Sequence, residues 1–474
     1  DEAPPRYISP LHLEGDTLLD EQGRIIALVE PGRDVAPQFH PEHDPGAWPQ
    51  GAGFHDGLEQ AFSLGPGESR LFDLAVPYLP LARTHEAQLR ARPHEAARAA
   101  AVAGWERTLA RGAQLAVPDR ALVDLHRAQL AYTFMLVDRM DKATVADLGA
   151  PAASFNWQFR RAHMEPPPVA LRDYRVPAGV HAYVHLSASD YEFIWATESI
   201  GVVVPALCRD GYLPEARDYL ETMFALQGAS SVLFEEPDLR RDEPDAQGLY
   251  GTLPSYSQWL GETGGALWGI AQYYRYSGDA AWIREHAGHL LSACRWIRQR
   301  RRSTADAPCV AARGLLPRGR ATDSPLMGHH YYSDLHSYLG LQGIALALTE
   351  AGVPGCEWVL AEAADYRQCI RRSLAQAILP VEAFADSEEG YDAAGHVILR
   401  ANGAREPLAP ERWHGRMLLR EEARRRGMAA YVPSAADLRI PMTFPANGME
   451  VCAGIPLIAC TDILDPDSDE PLAP

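Results

Sequence analysis

The pattern of apolar and polar positions changes along the chain, from strand-like alternation near the start to helical spacing further on. Short apolar runs at Thr17–Leu19 and Arg24–Val29 are set off by turn residues and predict β-strands. Two further runs, Leu58–Leu64 and Ser69–Val76, flank Gly65-Pro66-Gly67-Glu68 and predict an antiparallel pair. The stretch 1–84 is therefore predicted to be a portion of a β-sandwich.

From about His85 the spacing becomes helical. Residues Glu86–Ala113 are rich in Ala, Arg and Glu and predict one long, solvated helix. Val117-Pro118-Asp119 ends it, and because Pro followed by Asp favours a helix start, Ala121–Arg139 is predicted as the next helix. We divide the remainder into a helical linker at 85–118 and an α/α-barrel catalytic domain at 119–474.

Three stretches of the helical domain share one order of residue types: Tyr191–Phe224, Tyr256–Ala293 and Tyr331–Ile370. Each has aromatic residues, an acid at the start of a helix with few charges, a glycine, and then a more charged helix. The three acids are Glu198, Glu262 and Asp334, and the three glycines are Gly211, Gly278 and Gly352. A helix that is apolar almost all round is buried, whereas one that keeps a polar face is an outer helix. Stacked αα-hairpins of this kind close into a solenoid or a toroid, in which the inner helices can begin at one common end.

This organisation resembles the six-hairpin glycosidases, the (α/α)6-barrel hydrolases. The resemblance covers roughly Leu58 to Ile370 and rests on Leu64–Ser69, Trp105, Val117-Pro118-Asp119, Gly261-Glu262-Thr263, Gly314-Leu315-Leu316-Pro317 and His329–Asp334. It implies a mainly α fold, an (α/α)6 toroid of helical hairpins preceded by part of a β-sandwich. Two features depart from the group: Thr197-Glu198 stands where many relatives carry Arg-Asp, and no Trp-Glu-Glu motif follows Pro317. The motifs do not single out one family of the group.

Composition and charge exclude several other classes. The chain has 44 basic and 63 acidic residues, a net charge of −19, which disfavours nucleic acid as a partner. No run approaches the roughly 18–20 apolar residues of a membrane span. The seven cysteines include no CxxC pair, so neither a disulfide scaffold nor a zinc ribbon is indicated. The sequence indicates neither a compartment nor an oligomeric state.

Glycoside cleavage needs a proton donor for the leaving oxygen, and an inverting enzyme adds a carboxylate that activates water. We predict Glu262 and Asp334 as the first catalytic pair and Glu198 as the third candidate, because each stands near aromatic residues that would desolvate it. Glu450 is a further candidate base. The alternative for each helix-start acid is that it only caps its helix.

Aromatic rings bind the apolar faces of sugars, and polar side chains bind their hydroxyls. The predicted substrate-binding residues are Trp157, Tyr191, Trp195, Tyr256, Gln258, Trp259, Arg318, Asp323, His330 and Tyr331. Hydrolysis needs no cofactor, and His329, His330 and His336 lack a recognisable metal-ligand spacing. The expected activity is therefore glycoside hydrolysis of a carbohydrate substrate. The alternatives are a polysaccharide lyase, a disaccharide phosphorylase and a non-catalytic helical-repeat module that binds sugar.

Overall fold

A computed structural model of the chain describes residues 11–20, 23–29, 38–42, 55–59, 63–69, 74–77, 81–135, 137–141, 164–165, 180–184, 196–225, 227–228, 230–231, 245–246, 248–253, 255–256, 259–319, 329–377, 379–380, 387–391, 397–401, 404–407 and 430–431. These residues are mainly helical, with a small antiparallel sheet. They form two compact units. The first contains those up to Arg111 together with 140–141 and 180, and the second contains the others.

The first unit is built on a four-stranded antiparallel sheet. In their spatial order, its strands are β1 (His12–Glu14), β2 (Thr17–Leu19), β3 (Ile25–Val29) and β6 (Leu74–Ala75). Three leucine and isoleucine side chains of this sheet form a buried cluster with Leu81, and they are Leu19, Ile25 and Leu28. A separate antiparallel pair is formed by β4 (Gln38–Glu42) and β5 (His55–Glu59). The strands predicted at residues 17–19 and 24–29 are confirmed.

The described residues of the two runs predicted to pair across Gly65-Pro66-Gly67-Glu68 do not pair with each other, and residues 60–62 and 70–73 of these runs lie outside the described residues. The turn itself is present, since Glu68 N donates to Gly65 O at 3.1 Å and Gly65 N donates to the Glu68 carboxylate at 2.8 Å. However, β5 pairs with β4, and β6 pairs with β3, where Ala75 lies opposite Leu28. Because β3 is almost entirely buried, it offers the chain after the turn a partner with an apolar core behind it.

The long helix predicted over Glu86–Ala113 is interrupted. After a 3₁₀ turn (Arg83–His85), the structure has α1 (Glu86–Arg90) and α2 (His94–Arg111) as separate helices. Pro93 lies at the interruption. It has no N–H to donate, and it disfavours a helical conformation at the preceding residue, so the helix stops and restarts there.

The second unit begins with α3 (Arg120–Met135) and continues with three helical hairpins. The first helix of the first hairpin is α4, which consists of Ala196–Glu198, a π-helical turn at Ser199–Val203 and Val204–Arg209. The second helix of this hairpin is α5 (Leu213–Ala225). The second consists of α6 (Glu262–Ser277), α7 (Ala280–Glu285) and α8 (Ala287–Arg302). A 3₁₀ turn (Val310–Ala312) precedes the third, which consists of α9 (Tyr331–Glu350) and α10 (Glu357–Ala377). The three predicted repeat units are therefore confirmed as helical hairpins.

A glycine with a left-handed backbone ends the first helix of each hairpin. Gly211, Gly278 and Gly352 have φ angles of 90°, 64° and 71°. A residue with a Cβ adopts this conformation at a cost, so glycine is favoured where a helix must stop and the chain turn back. The predicted glycine breaks are confirmed.

The remaining strands are short. They are β7 (Val137–Asp141), β8 (Met164–Glu165), β9 (Val180–Val184), β10 (Ser230–Ser231), β11 (Ser255–Tyr256), β12 (Leu379–Pro380), β13 (Ser387–Tyr391), β14 (Val397–Ala401), β15 (Ala404–Pro407) and β16 (Ala430–Tyr431). β10 pairs with β11 and β8, β12 pairs with β16, and β13, β14 and β15 form an antiparallel sheet. Within the described ranges, no helix combines the length and apolar character needed to cross a membrane.

Helices α6 and α9 approach each other closely because glycines lie at their contact. A Cβ on Gly264 would collide with the backbone of Ser337. Near the other end of the contact, a Cβ on Gly343 would lie 2.6 Å from the Cβ of Ala271. Residue numbers increase in the same direction on both helices, so α6 and α9 are parallel and begin at the same end.

Helix α4 packs against α6 in the same way. A Cβ on Gly265 would lie 2.6 Å from the Cα of Thr197, and one on Gly269 would collide with the carbonyl oxygen of Ile200. Here too the numbering increases in one direction along both helices. Helices α4, α6 and α9 therefore form a layer of three parallel helices, which we call the inner layer.

The second helices of the hairpins, α5, α8 and α10, pack against the inner layer, and we call them the outer layer. Tyr331, at the start of α9, meets Ser373 near the end of α10, whereas Thr349 near the end of α9 meets Cys356 just before α10. Helix α10 is thus antiparallel to α9. The first three turns of α9 are buried all round, while α10 keeps an exposed face. The predicted division into buried first helices and polar-faced second helices is confirmed for this hairpin.

Replacing Gly264 by Ala is expected to lower the free energy of unfolding by about 1–3 kcal/mol, because the added methyl group has no space beside Ser337. Gly104→Ala is the matched control. Its Cβ would meet only the Arg107 guanidinium, at 3.9 Å, so helix propensity should leave it neutral or stabilised by up to about 1 kcal/mol. Urea unfolding of both variants checks this. Equal midpoints for Gly264→Ala and the wild type would contradict the close packing of α6 against α9.

Candidate functional site

Glu262 is the first residue of α6 and lies at the end where the inner helices begin. Its side chain is 1% exposed. One carboxylate oxygen accepts a hydrogen bond from the backbone N–H of Thr197, at 3.0 Å. Thr197 is in the first turn of α4, where backbone N–H groups have no partner within the helix. Glu262 therefore connects the start of its own helix to the start of the neighbouring one.

Glu198 follows Thr197 in the chain, and its backbone belongs to the first turn of α4. The position of its side chain lies outside the described residues. Its main chain leads directly into the π-helical turn Ser199–Val203. Single π-helical turns within α-helices occur frequently at functional sites. The backbone of Glu198 is thus next to the residue that Glu262 contacts.

Asp334 occupies the corresponding position on α9 but points towards the outer layer. It is 0% exposed. One carboxylate oxygen accepts hydrogen bonds from Leu316 N, at 2.8 Å, and from the Tyr366 hydroxyl on α10, at 2.6 Å. The other oxygen is buried and has no hydrogen-bond partner within the described ranges. Asp334 therefore joins α9 to α10 and to the loop before α9.

The surroundings of Asp334 favour its protonated form. Burial raises the pKa of Asp334 to about 7, although the hydrogen bonds from Tyr366 and Leu316 and the charge of Arg301 lower it. A pKa near 7 suits a general acid. However, the contacts of Asp334 lie between two helices and a loop, so geometry favours a structural role over proton donation to a substrate.

A buried arginine connects the helices and the loop that surround Asp334. Arg301 on α8 donates to Gly314 O at 2.8 Å and to Asp365 at 2.8 Å, and it also contacts Glu362. Its guanidinium lies 4.0 Å from the ring centre of Tyr366, the residue that donates to Asp334. Because one buried cation contacts α10 and the loop at Gly314, the second and third hairpins are held together here.

Two predicted substrate-binding aromatics are buried in this structure. Tyr331 is fully buried, and its hydroxyl lies 2.7 Å from Ser373 Oγ on α10, so it points towards the outer layer. Burial raises the pKa of Tyr331, which keeps it protonated. Trp259 is buried just before α6. Of Tyr256, the structure describes the backbone, in β11.

The polar residues before α9 differ in their burial. His330 is the N-cap residue of α9 and is buried, without a side-chain capping hydrogen bond. The neighbouring His329 donates from Nδ1 to Leu316 O, at 2.9 Å. Burial lowers the pKa of His329, so its ring is neutral. Arg318 is exposed in the loop after Leu316, and its positive charge also lowers the pKa of His329.

Several predicted site residues lie outside the described residues: Trp157, Tyr191, Trp195, Gln258, Asp323 and Glu450. Among the residues that the structure does describe, no group of three or more His, Cys, Asp or Glu side chains could hold a metal ion.

Polar groups that were not predicted as site residues also gather at this end. The hydroxyls of Thr197, Ser333 and Ser337 are buried and have no hydrogen-bond partner within the described part of the chain. His336 lies one helical turn after Tyr332, and their rings are in edge contact with centres 4.3 Å apart. The spacing of four residues on a predicted helix was the available signal for this pair.

Comparison with known proteins does not place the chain in a family. No protein-family model matches it, and comparisons with curated proteins and with solved structures find no match.

Asp334→Asn is expected to reduce the dependence of stability on pH between about 4 and 7. In that range the unfolded carboxyl is ionised whereas the folded one stays protonated, because its pKa is raised to about 7. Unfolding then releases a proton, so the stability of the wild type falls with rising pH, by at most about 1.4 kcal/mol per pH unit. Above pH 7 the folded carboxyl ionises too, and this slope ends.

Urea unfolding at pH 4.5, 5.5, 6.5 and 7.5 measures the effect. Glu357→Gln removes an exposed carboxylate at the start of α10 and serves as the charge control. The same pH slope in Asp334→Asn and the wild type would show that Asp334 is not protonated in the folded state.

Proposed function

We propose that the protein is a glycoside hydrolase that cleaves a glycosidic bond of an oligosaccharide or glycoconjugate. The three hairpins would belong to an (α/α)6 toroid, and the strands of the first unit to a β-sandwich that precedes it. One observation carries the proposal. The parallel inner helices begin at one end, and there the buried carboxylate of Glu262 lies against Thr197, the neighbour of Glu198.

The proposed mechanism is inversion with two carboxyl groups. One protonates the leaving oxygen while the other activates a water molecule on the opposite face of the sugar, with the two roughly 6.5–9.5 Å apart. Glu262 accepts a hydrogen bond from a backbone N–H, which stabilises an ionised carboxylate. We therefore assign Glu262 as the base that activates water and Glu198 as the proton donor. Asp334 takes no part in the chemistry and holds α9 against α10.

A polysaccharide lyase on the same architecture is the second candidate. Its base removes a proton next to a carboxylate of the sugar, and Tyr or His side chains serve in that role. The adjoining rings of Tyr332 and His336 are the observation that favours it. A lyase product would absorb in the ultraviolet through its new double bond.

A screen of chromogenic glycosides in phosphate-free buffer tests the proposal, since activity there also excludes a phosphorylase. For a glycoside that is cleaved, Glu262→Gln and Glu198→Gln are each expected to lower kcat/KM by at least about 100-fold, because each removes an acid–base group. Asp334→Asn should stay within about tenfold of the wild type when assayed well below its melting temperature.

Glu357→Gln, on the outer surface of the third hairpin, is the matched control and should retain wild-type activity. Circular dichroism melting of each variant shows whether it is folded. Full activity in both Glu262→Gln and Glu198→Gln would exclude this site. Ultraviolet-absorbing products from uronate polymers, with no glycoside hydrolysed, would favour the lyase instead.

A further inference from the structure

Helices α6 and α9 each have a side that faces away from the outer layer. We call this side the inner face and define it by Trp268 on α6 and Tyr332, His336 and Leu339 on α9. The last three share one side of α9 because they are spaced at four and three residues. Trp268 belongs with them, since its ring lies 3.9 Å from the position of a Cβ on Gly343, which follows Leu339 by four residues. Asp334 and Tyr331 are on the side of α9 that contacts α10.

The contacts of His336 determine which ring nitrogen can accept a hydrogen bond. Its Nδ1 lies 2.9 Å from Tyr332 O, and because a carbonyl oxygen only accepts, Nδ1 carries the proton. Nε2 is then an acceptor, and in the described ranges it has no partner. The side chain is 8% exposed. Burial lowers the pKa of His336 to about 4, so the ring is neutral and Nε2 remains an acceptor at neutral pH.

A hydrogen-bond donor lies deeper on the same side of α6. Gln272 follows Trp268 by one turn, and its buried side-chain nitrogen has no hydrogen-bond partner within the described part of the chain. The inner face therefore combines an acceptor, a donor and two aromatic rings. Sugar hydroxyls both donate and accept, and the C–H faces of a sugar ring pack on aromatic rings.

The helix turns that carry these groups contain no positively charged side chain. Residues 196–206, 262–272 and 331–341, which cover the first three turns of α4, α6 and α9, contain no Lys or Arg. The two acids whose side chains are described, Glu262 and Asp334, are directed at Thr197 and Tyr366. A buried carboxylate of a ligand would need a cation beside it. This face suits an uncharged ligand.

We propose that His336, Tyr332 and Trp268 form a subsite for an uncharged sugar ring, with Nε2 of His336 accepting a hydrogen bond from a sugar hydroxyl. The proposal rests on the proposed function and gives its substrate class as neutral glycosides rather than uronates. It also places the subsite on the inner face, one to two turns inside the end marked by Glu262.

Diethyl pyrocarbonate provides a test that needs no catalysis, because it acylates an unprotonated, accessible imidazole nitrogen. The wild type is labelled at pH 6, and peptide mass spectrometry follows His336. The probes are methyl glycosides of D-glucose, D-mannose, D-galactose and L-rhamnose, with D-glucuronate as the charged comparison. We expect His336 to be labelled in the free protein, and at least one neutral glycoside to slow its labelling at least fivefold while glucuronate does not.

Binding of the protective glycoside, followed by saturation-transfer NMR, completes the test. His336→Phe should weaken it at least tenfold, and His336→Gln, which keeps a hydrogen-bonding amide, should weaken it less. His329→Gln is the matched control: His329 is also buried with Nδ1 bound to a backbone carbonyl, but that carbonyl belongs to Leu316, and binding should be unchanged.

Failure of the subsite can be told apart from failure of the hydrolase proposal. Equal binding by the wild type and His336→Phe, no labelling of His336 in the free protein, or tighter binding of glucuronate would each overturn the subsite. Glycoside cleavage that His336→Phe leaves intact would overturn it while the hydrolase stands. If no sugar binds and no glycoside is cleaved, both proposals fail.

Discussion

The close contact of α6 with the helices on both sides is the constraint on which the second unit depends. Gly264 and Gly265 bring the backbones of α9 and α4 near enough that a methyl group would not fit. Three parallel helices then present their positive ends side by side, which is electrostatically unfavourable. Glu262 offsets this repulsion, because its carboxylate accepts a hydrogen bond from the backbone N–H of Thr197 at the start of α4. Packing and charge are thus coupled at one end of the inner layer.

Equivalent positions on two inner helices have different chemistry because their neighbours differ. Glu262 contacts the next inner helix, whereas Asp334 contacts an outer helix and a loop. Its partner Tyr366 is itself held over Arg301, so the surroundings of Asp334 form a structural connection between the second and third hairpins. The raised pKa of Asp334 alone would suggest a catalytic acid. Its hydrogen bonds to an outer helix and a loop favour a structural role instead.

Local patterns predicted much of the fold. Each hairpin could be predicted from an apolar helix, a glycine and a polar-faced helix, because the residues that decide these features are neighbours in the chain. The direction of the Asp334 side chain could not be predicted in this way, since it depends on Tyr366, which is 32 residues away. The partner of β6 was missed for the same reason: burial against β3 outweighs a nearby turn. Pro93 is visible in the sequence, and the structure shows that it divides the predicted long helix into α1 and α2.

Crosslinking tests the parallel register of the inner layer most directly. A Cβ on Gly261 would lie 3.4 Å from the Cβ of Ser333, close to the separation of about 3.5–4.5 Å in disulfides. The account predicts that Gly261→Cys combined with Ser333→Cys forms a disulfide under mild oxidation, identified by mass spectrometry of the joined peptides. Gly261→Cys combined with Thr349→Cys, at the far end of α9, should form none. A crosslink between positions 261 and 349, without one between 261 and 333, would contradict the shared starting end of these helices.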